Sequence, residues 1–291
     1  MKEITILSGK GGAGKTSVAA ALASVVKNAV FCDNDVDAAD LHLIFNPEII
    51  ETYTFDSGKK ANINFEDCIN CGLCSEYCRF DAIHLNDVGH YKVNHFQCEG
   101  CRLCERVCPT EAISMIENNN NFWYVSETRF GTLVHAKMGP GEENSGKLVT
   151  KIRHKAKEIA TNTNAAFIIN DGPPGIGCSA IASVTGTDLV LLVIEPTLSG
   201  LHDAARLVEL AESFKIPVQA VINKFDINPE ITGKAEKYLS EKNIPLAGKL
   251  SFEPKMVESM VEEKTIVEYA PNDNISREFY SIWNKIVVNL T

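Results

Sequence analysis

The amino-acid sequence predicts an α/β fold with a doubly wound, mostly parallel sheet that is interrupted by a small inserted α+β domain. Two observations carry this prediction. Short apolar segments alternate with helical segments near both ends of the chain, and such alternation produces parallel strands joined by helical crossovers. Between them lies a cysteine-rich stretch without that alternation. The 291 residues, 45% of them hydrophobic, can bury a sizeable core in one or two domains.

The individual elements follow from apolar runs and helical periodicity. Strands are expected over residues 2–8, 29–32, 165–169, 188–194 and 218–222, and helices over 16–27 and 201–214. The insert is assigned to residues 61–117, which splits the main domain into segments 1–60 and 118–291. Its halves resemble each other, because an Ala-Ile pair follows each cysteine run. After a polar return linker over 118–121, strands are expected over 122–125 and 131–136.

Charge and composition argue against several classes of protein. The formal net charge is −10, from 38 acidic and 28 basic residues, so neither a nucleic-acid partner nor an anionic membrane is expected. The opening residues MKEITILSGKGG show no signal peptide, and no apolar run approaches the roughly 20 residues that span a bilayer. A cytoplasmic location is expected. Most of the 10 cysteines fall in two tight clusters, which favours metal binding over disulfides.

A phosphate-binding loop follows the first predicted strand. It fits the pattern G-x-x-x-x-G-K-[ST] and consists of Gly9, Lys10, Gly11, Gly12, Ala13, Gly14, Lys15 and Thr16, followed by Ser17. Glycines allow backbone N–H groups to surround phosphate oxygens, and the next helix adds a favourable dipole at its N-terminus. Lys15 is expected to reach the β- and γ-phosphates, and the Thr16 hydroxyl to ligate Mg²⁺.

The second lysine of this loop, Lys10, gives it the form K-G-G-x-G-K-T. This form resembles the deviant Walker A motif of the MinD/ParA family, which includes the nitrogenase iron protein and the Mrp-type iron–sulfur carriers. The resemblance covers the chain outside the insert and implies a P-loop ATPase that forms a nucleotide-dependent homodimer. It also implies that Lys10 crosses the dimer interface to the partner's nucleotide, so that Lys10 and Lys15 both serve catalysis.

An acidic loop after the second strand agrees with this resemblance. Residues 31–37 resemble switch I of the family, which implies that Asp33 orients the attacking water and that Asp37 supports Mg²⁺. Asp35 and Asp40 are expected to be a solvated loop acid or a helix cap.

Two further motifs complete the nucleotide site. Residues 167–175 resemble the Walker B strand and the D-x-P-P-G switch II, in which Asp171 would hold a Mg²⁺-bound water and the backbone after it would sense the γ-phosphate. Asn223, Lys224 and Asp226 form an N-K-x-D motif, where the Asn223 amide suits a base edge. GTPases also use this motif, so the expectation of ATP depends on the family resemblance.

The insert carries two complete four-cysteine runs. Both match the spacing of the bacterial two-cluster ferredoxins, in which the fourth cysteine of each run ligates the other cluster. The predicted ligands of two [4Fe–4S] clusters are Cys68, Cys71, Cys74 and Cys108 for the first, and Cys98, Cys101, Cys104 and Cys78 for the second. Arg79 stands where the second run has Pro109, so a changed local backbone or reduction potential is expected there. Zinc fits eight cysteines in this order poorly.

Three functions are compatible with this architecture, which resembles a branch of the MinD superfamily defined by an inserted ferredoxin domain. The first is ATP-gated electron transfer from the clusters to an unidentified protein partner. The second is assembly or carriage of an iron–sulfur or other metal cofactor, although no terminal C-x-x-C is present for a labile cluster. The third, MinD-like positioning, would need a membrane-binding tail, whereas residues 275–290 read as a helix packed on the domain.

Cys178 lies outside both runs, seven residues after Asp171. The resemblance to the nitrogenase iron protein places a ligand of its dimer-bridging cluster at this distance. Asn144 stands where the other ligand would be, so a third cluster between subunits is not expected. The first hypothesis is that Cys178 is a small buried hydrophobe. The alternative is that Cys178 and Lys147 mark the surface where switch II meets a redox partner or a transient metal centre.

Overall fold

The structure is a computed structural model that describes residues 1–56, 58–118, 121–139 and 146–290. The described residues form two compact units. The larger unit draws on residues 1–52, 123–136 and 144–291, and the smaller unit on residues 53–122 and 137–143. The predicted insert of residues 61–117 lies within the smaller unit.

The elements alternate between strands and helices in both terminal parts of the chain. The strands are β1 (Lys2–Ser8), β2 (Ala29–Asp33), β3 (Glu48–Phe55), β4 (Lys59–Ile63), β5 (Ile83–Leu85), β6 (Tyr91–Val93), β7 (Ile113–Glu117), β8 (Asn121–Thr128), β9 (Gly131–Lys137), β10 (Phe167–Pro174), β11 (Leu189–Ile194), β12 (Val218–Asn223) and β13 (Leu246–Leu250). The helices are α1 (Lys15–Ala23), α2 (Leu41–Phe45), α3 (Leu73–Glu76), α4 (Leu103–Val107), α5 (Lys147–Asn162), α6 (Cys178–Val184), α7 (Leu198–Ser213), α8 (Pro229–Glu241), α9 (Lys255–Val261), α10 (Ile266–Tyr269) and α11 (Asn274–Val288).

A nine-stranded sheet has the order β13-β12-β11-β1-β10-β2-β9-β8-β3. Every pairing from β13 through to β9 is parallel, which confirms the predicted mostly parallel, doubly wound sheet. Because parallel strands end at one edge, the loops after β1, β2, β10 and β11 meet there. Strand β3 was not predicted, because it is a partly exposed edge strand without a continuous apolar run.

Helices cover both faces of the sheet. The six residues of β11 are all buried, as expected for a parallel strand with helices on either side. On one face the core includes α1 and α11. Three residues of α11, namely Phe279, Ile282 and Ile286, are inaccessible to solvent. This packing confirms the prediction for the C-terminal helix. On the other face the core includes α7 and α8. No helix within the described ranges is long and apolar enough to cross a membrane.

The smaller unit contains two equivalent halves. Strand β4 pairs antiparallel with β7, and β5 pairs antiparallel with β6. Two backbone hydrogen bonds join the halves at equivalent positions, because Asn64 donates to the Ala112 carbonyl at 2.8 Å and Asn94 donates to the Ala82 carbonyl at 2.7 Å. The internal repeat predicted from the Ala-Ile pairs is therefore present in the backbone.

Candidate functional site

The phosphate-binding loop connects β1 to α1 at the carboxyl edge of the sheet. Gly12 and Gly14 have φ angles of 80° and 94°, a region that favours glycine. A side chain at Gly14 would also collide with the Asn223 amide, whereas one at Gly11 would meet open space. The loop backbone is thus open on one side and closely packed on the other, which suits a surface that receives phosphate oxygens.

Each lysine of this site is paired with an acid. The buried Lys15 ammonium lies 3.3 Å from Asp35 Oδ2, and the Lys10 ammonium lies 2.9 Å from Glu195 Oε2. Lys224 donates to Glu195 Oε1 at 2.9 Å and to the carbonyl of Gly12 at 3.1 Å. Asp35 is therefore neither a solvated loop acid nor a helix cap, because it balances the Lys15 charge inside the fold.

Switch I places its acids in different environments. Asp33 is fully buried and accepts hydrogen bonds from the backbone N–H groups of Asp35 at 3.2 Å and Leu41 at 3.1 Å. Burial, followed by the nearby Asp171 carboxylate, raises the pKa of Asp33. Asp37 is exposed on the loop. The roles of Asp33 and Asp37 in catalysis and Mg²⁺ binding stay predictions.

Switch II begins in β10 with a buried acid. Among the described groups, neither carboxylate oxygen of Asp171 has a hydrogen-bond partner in good geometry. Burial raises the pKa of Asp171 to about 6, although the neighbouring Lys15 ammonium and Thr16 hydroxyl oppose this. A buried carboxylate with unused oxygens beside a threonine hydroxyl fits the oxygen ligands that Mg²⁺ requires. Asn34 donates its backbone N–H to the Asp171 carbonyl at 2.8 Å, which joins the two switches.

The N-K-x-D motif lies against the phosphate-binding loop. The Asn223 amide donates to the Ala13 carbonyl at 2.9 Å, and Asp226 Oδ1 accepts the backbone N–H of Phe252 at 2.7 Å. These contacts fix the motif beside the loop. Base recognition by Asn223, Lys224 and Asp226 stays a prediction.

Glu195 belongs to this site but was not predicted from the sequence. It directly follows the apolar run of β11, and so lies at the same sheet edge as the phosphate-binding loop. Burial alone would raise the pKa of Glu195, but hydrogen bonds from Lys224 and Lys10 lower it. Its position could have been predicted, because an acid directly after a buried parallel strand lies at the sheet edge where ligands bind.

The eight clustered cysteines surround two small cavities. The lining of one contains Cys68, Cys71, Cys74 and Cys108, and the lining of the other contains Cys78, Cys98, Cys101 and Cys104. Each cavity therefore has three cysteines of one run and the fourth of the other. Within the described part of the chain, no three metal-binding side chains are close enough to hold a single metal ion. Four cysteines around one cavity are the ligand set that a [4Fe–4S] cluster uses, and cluster binding by these eight residues stays a prediction.

The thiols around these cavities differ in acidity. Burial opposes ionisation of Cys108, but hydrogen bonds from Thr110, Ala112 and Ile113 lower its pKa. Burial raises the pKa of Cys74, and it raises that of Cys104 to about 11. Without metal these thiols keep their protons at neutral pH, and bound iron would replace them. Backbone N–H groups already point at sulfur, since Ala82 donates to Cys78 Sγ at 3.3 Å and Ala61 to Cys98 Sγ at 3.5 Å.

The turns that follow the two runs have the same backbone. Asp81 and Glu111 have φ angles of 50° and 54°, and they donate to the carbonyls of Cys78 and Cys108 at 3.3 and 3.4 Å. The change from proline to Arg79 therefore leaves this turn intact. An altered reduction potential, the other expected effect, stays a prediction.

Cys178 is exposed, so the expectation of a buried small hydrophobe is wrong. It is the first residue of α6, and this helix buries its opposite side through Ala180, Ser183 and Val184. Lys147 is the first residue of α5. Asn144, the residue in place of the second bridging ligand, lies outside the described residues.

This fold and site define a class of protein. A parallel sheet whose carboxyl edge carries a phosphate-binding loop and two acidic switches is the fold of a P-loop NTPase, and the cysteine cavities define an iron–sulfur module. Residues 61–115 match the family model described as a 4Fe-4S dicluster domain.

Comparison with known proteins agrees with this class. Uncharacterized protein MJ0578 of Methanocaldococcus jannaschii is 38% identical over 229 residues, which cover 78% of this chain and 79% of that protein. Uncharacterized ATP-binding protein MJ0169 of the same organism is 24% identical over 287 residues, 96% of this chain and 85% of that protein. The cell division ATPase MinD of Pyrococcus furiosus has a TM-score of 0.60 at 18% identity over 99% of both chains. The septum site-determining protein MinD of Pyrococcus horikoshii, complexed with Mg-ADP, has a TM-score of 0.60 at 18% identity over 98% and 95%. The chain belongs to the same family as MJ0578 and contains a 4Fe-4S dicluster domain, and its fold is that of the MinD/ParA P-loop ATPases.

Proposed function

We propose that this protein binds and hydrolyses Mg-ATP and uses it to gate electron transfer from two [4Fe–4S] clusters to a partner protein. The observation that carries the proposal is the pair of cavities, each lined by four cysteines drawn from both runs. Interlocked ligand sets of this kind suit clusters that stay bound and exchange electrons. They suit delivery of a cluster to another protein less well, which places cofactor assembly second.

Several features of the nucleotide site support ATP hydrolysis. Lys15 would exchange Asp35 for the β- and γ-phosphates, while Thr16 and Asp171 would hold Mg²⁺, directly or through water, with Asp37 supporting the metal. Bound Mg²⁺ would neutralise charge on the phosphates. Asp33 would orient the attacking water after it releases the backbone groups it now binds. Two of the similar proteins, an ATP-binding protein of Methanocaldococcus jannaschii and a MinD protein in complex with Mg-ADP, support the same assignment.

The proposed active form is a homodimer. Lys15 already serves the phosphates of its own subunit, so the second lysine of the loop is available to the nucleotide of the partner. Lys10 is one-third exposed, and within the described part of the chain its ammonium pairs with one side-chain carboxylate, that of Glu195. A lysine held in this way can move to a stronger anion, such as a triphosphate, when a second subunit presents one.

An anaerobic redox titration tests the gating. Coupling between nucleotide and clusters is reciprocal, so Mg-ATP must shift the cluster potentials if it gates electron transfer. A coupling energy of 1–3 kcal/mol corresponds to a shift of about 40–130 mV for a one-electron couple. The matched control is Lys15→Ala, which should lose the shift while its clusters remain. Identical titrations with and without saturating Mg-ATP would contradict the gating and favour the assembly function.

A further inference from the structure

The carboxylate of Glu195 bridges two lysines that belong to different motifs of the nucleotide site. Lys10 of the phosphate-binding loop occupies one oxygen, and Lys224 of the N-K-x-D motif occupies the other, both at 2.9 Å. The Glu195 side chain is only 18% exposed, while those of Lys10 and Lys224 are 34% and 25% exposed. The group is partly shielded from water, so its charges interact more strongly than an exposed pair would.

The backbone around Glu195 holds this carboxylate at a fixed position. The Glu195 carbonyl accepts the backbone N–H of Thr197 at 2.8 Å, and the Thr197 hydroxyl caps α7 by accepting the N–H of Gly200 at 3.0 Å. A Cβ at position 200 would collide with the Glu195 carbonyl. The acid therefore sits on a closely packed turn between β11 and α7, and Lys10 is the more exposed partner.

We propose that Glu195 is a positioning residue that keeps Lys10 in its own subunit and makes subunit pairing depend on the γ-phosphate. The proposal rests on the proposed function, in which Lys10 acts on the nucleotide of the partner. Lys10 has two competing anions, the Glu195 carboxylate and the phosphates across the interface. ATP offers one phosphate more than ADP, so ATP competes with Glu195 more effectively. The Glu195 carboxylate thus retains Lys10 when the partner subunit holds ADP and gives it up when the partner subunit holds ATP.

The ammonium groups of Lys224 and Lys10 repel each other across the Glu195 carboxylate. Two ammonium groups share one carboxylate, so loss of the negative charge leaves two like charges close together. Lys224 is still held by the Gly12 carbonyl at 3.1 Å, while Lys10 would be released. The substitution Glu195→Gln keeps the size of the side chain and removes the charge, and it should free Lys10 without displacing the N-K-x-D motif.

The test measures the monomer–dimer equilibrium of the anaerobic holoprotein by analytical ultracentrifugation with a non-hydrolysable Mg-ATP analogue and with Mg-ADP. Relative to the native protein, Glu195→Gln should lower the dimer Kd about tenfold for each lysine released, the size of one charge-assisted hydrogen bond. It should also produce dimer with Mg-ADP. Glu195→Asp, which retains the charge, should restore the requirement for the γ-phosphate. The matched control is Glu230→Gln, which removes an exposed ion pair with Lys234 on α8 and should change neither Kd.

The outcomes separate this proposal from the proposed function. An unchanged dimer Kd for Glu195→Gln, or loss of monomer nucleotide binding in that variant, would overturn the role of Glu195. In the second case the residue would serve only to support the base motif. Lys10→Ala tests the other claim, because a native-like dimer in that variant would show that Lys10 does not act across the interface. If Lys10 does act there, combining Lys10→Ala with Glu195→Gln should give no gain over Lys10→Ala alone.

Discussion

A buried histidine in β9 should make the stability of the larger unit depend on pH. His135 is 5% exposed, and its Nε2 lies 3.0 Å from the Ser126 hydroxyl. Its ring is stacked on that of His42 with centroids 5.9 Å apart, and the Tyr124 ring lies 5.2 Å away. Burial, with a smaller effect of His42, lowers the pKa of His135 to about 4. The native state therefore holds this imidazole neutral under conditions where an exposed histidine is protonated.

The size of the effect follows from the two pKa values. An unfolded histidine has a pKa of about 6.5, so the unfolded chain binds a proton as the pH falls below that value while the native state does not. The native state then loses stability as the pH falls. The difference of about 2.5 pKa units corresponds to about 3.4 kcal/mol once the pH is below 4, and about 2 kcal/mol of this is lost between about pH 7.5 and about pH 5.

Urea unfolding of native protein and His135→Gln at these two pH values measures the effect. The chain has two tryptophans, Trp123 and Trp283, and both belong to the larger unit, so their fluorescence reports its unfolding. The native protein should lose about 2 kcal/mol relative to His135→Gln at the lower pH. Acids such as Asp171 titrate in both proteins and cancel. The exposed His202→Gln serves as the control. A stability difference between native protein and His135→Gln that does not change with pH would refute the reasoning.

Four further predictions address the clusters, the dimer and the scaffold. Anaerobically purified protein should contain about eight irons per chain, and zinc, or iron for a single cluster, would contradict the ligand assignment. Lys10→Ala should keep nucleotide binding and lose ATP hydrolysis and ATP-dependent pairing, so undiminished turnover would rule out a role across the interface. Arg153→Met should lower the free energy of unfolding of the larger unit in urea by about 3–5 kcal/mol, because it removes a buried partner of Glu3 at 2.6 Å. A loss below about 1 kcal/mol would show that Lys157, at 2.8 Å from Glu3, is enough to balance the Glu3 charge. Cys178→Ser should retain both clusters and basal ATPase activity while ATP-dependent electron transfer to a partner falls, and unchanged transfer would place the electron exit elsewhere.

The features predicted correctly from the sequence are those whose signal is local. Buried parallel strands read as short apolar runs, so β1, β11 and β12 appear close to their predicted positions. The cysteine runs and the phosphate-binding loop are defined by spacing over a few residues. Helix α1 was expected to reach Lys27 but ends at Ala23, because the chain turns there and Asn28 adopts a positive φ of 56° before β2 begins.

The features that were missed depend on residues far apart in the chain. Asp35 meets Lys15 across 20 positions, and Glu195 meets Lys10 because β11, which lies far along the chain, is the neighbour of β1 in the sheet. In the sequence, Asp35 and Glu195 look like acids of any polar loop. Their role becomes visible only when the fold brings the carboxyl ends of neighbouring parallel strands together. The exposure of Cys178 likewise depends on which side of α6 packs inward.

The exchange of the fourth cysteine between the two runs makes the smaller unit indivisible. Cys108 completes the cavity of the first run and Cys78 that of the second, while paired backbone hydrogen bonds from Asn64 and Asn94 join the halves. Separated halves would each keep three cysteines of their own cavity and two strands without their partners. If the protein holds the two proposed clusters, loss of one should therefore loosen the frame of the other, so that partial oxidative damage yields a mixture of fully loaded and empty molecules in place of half-loaded ones.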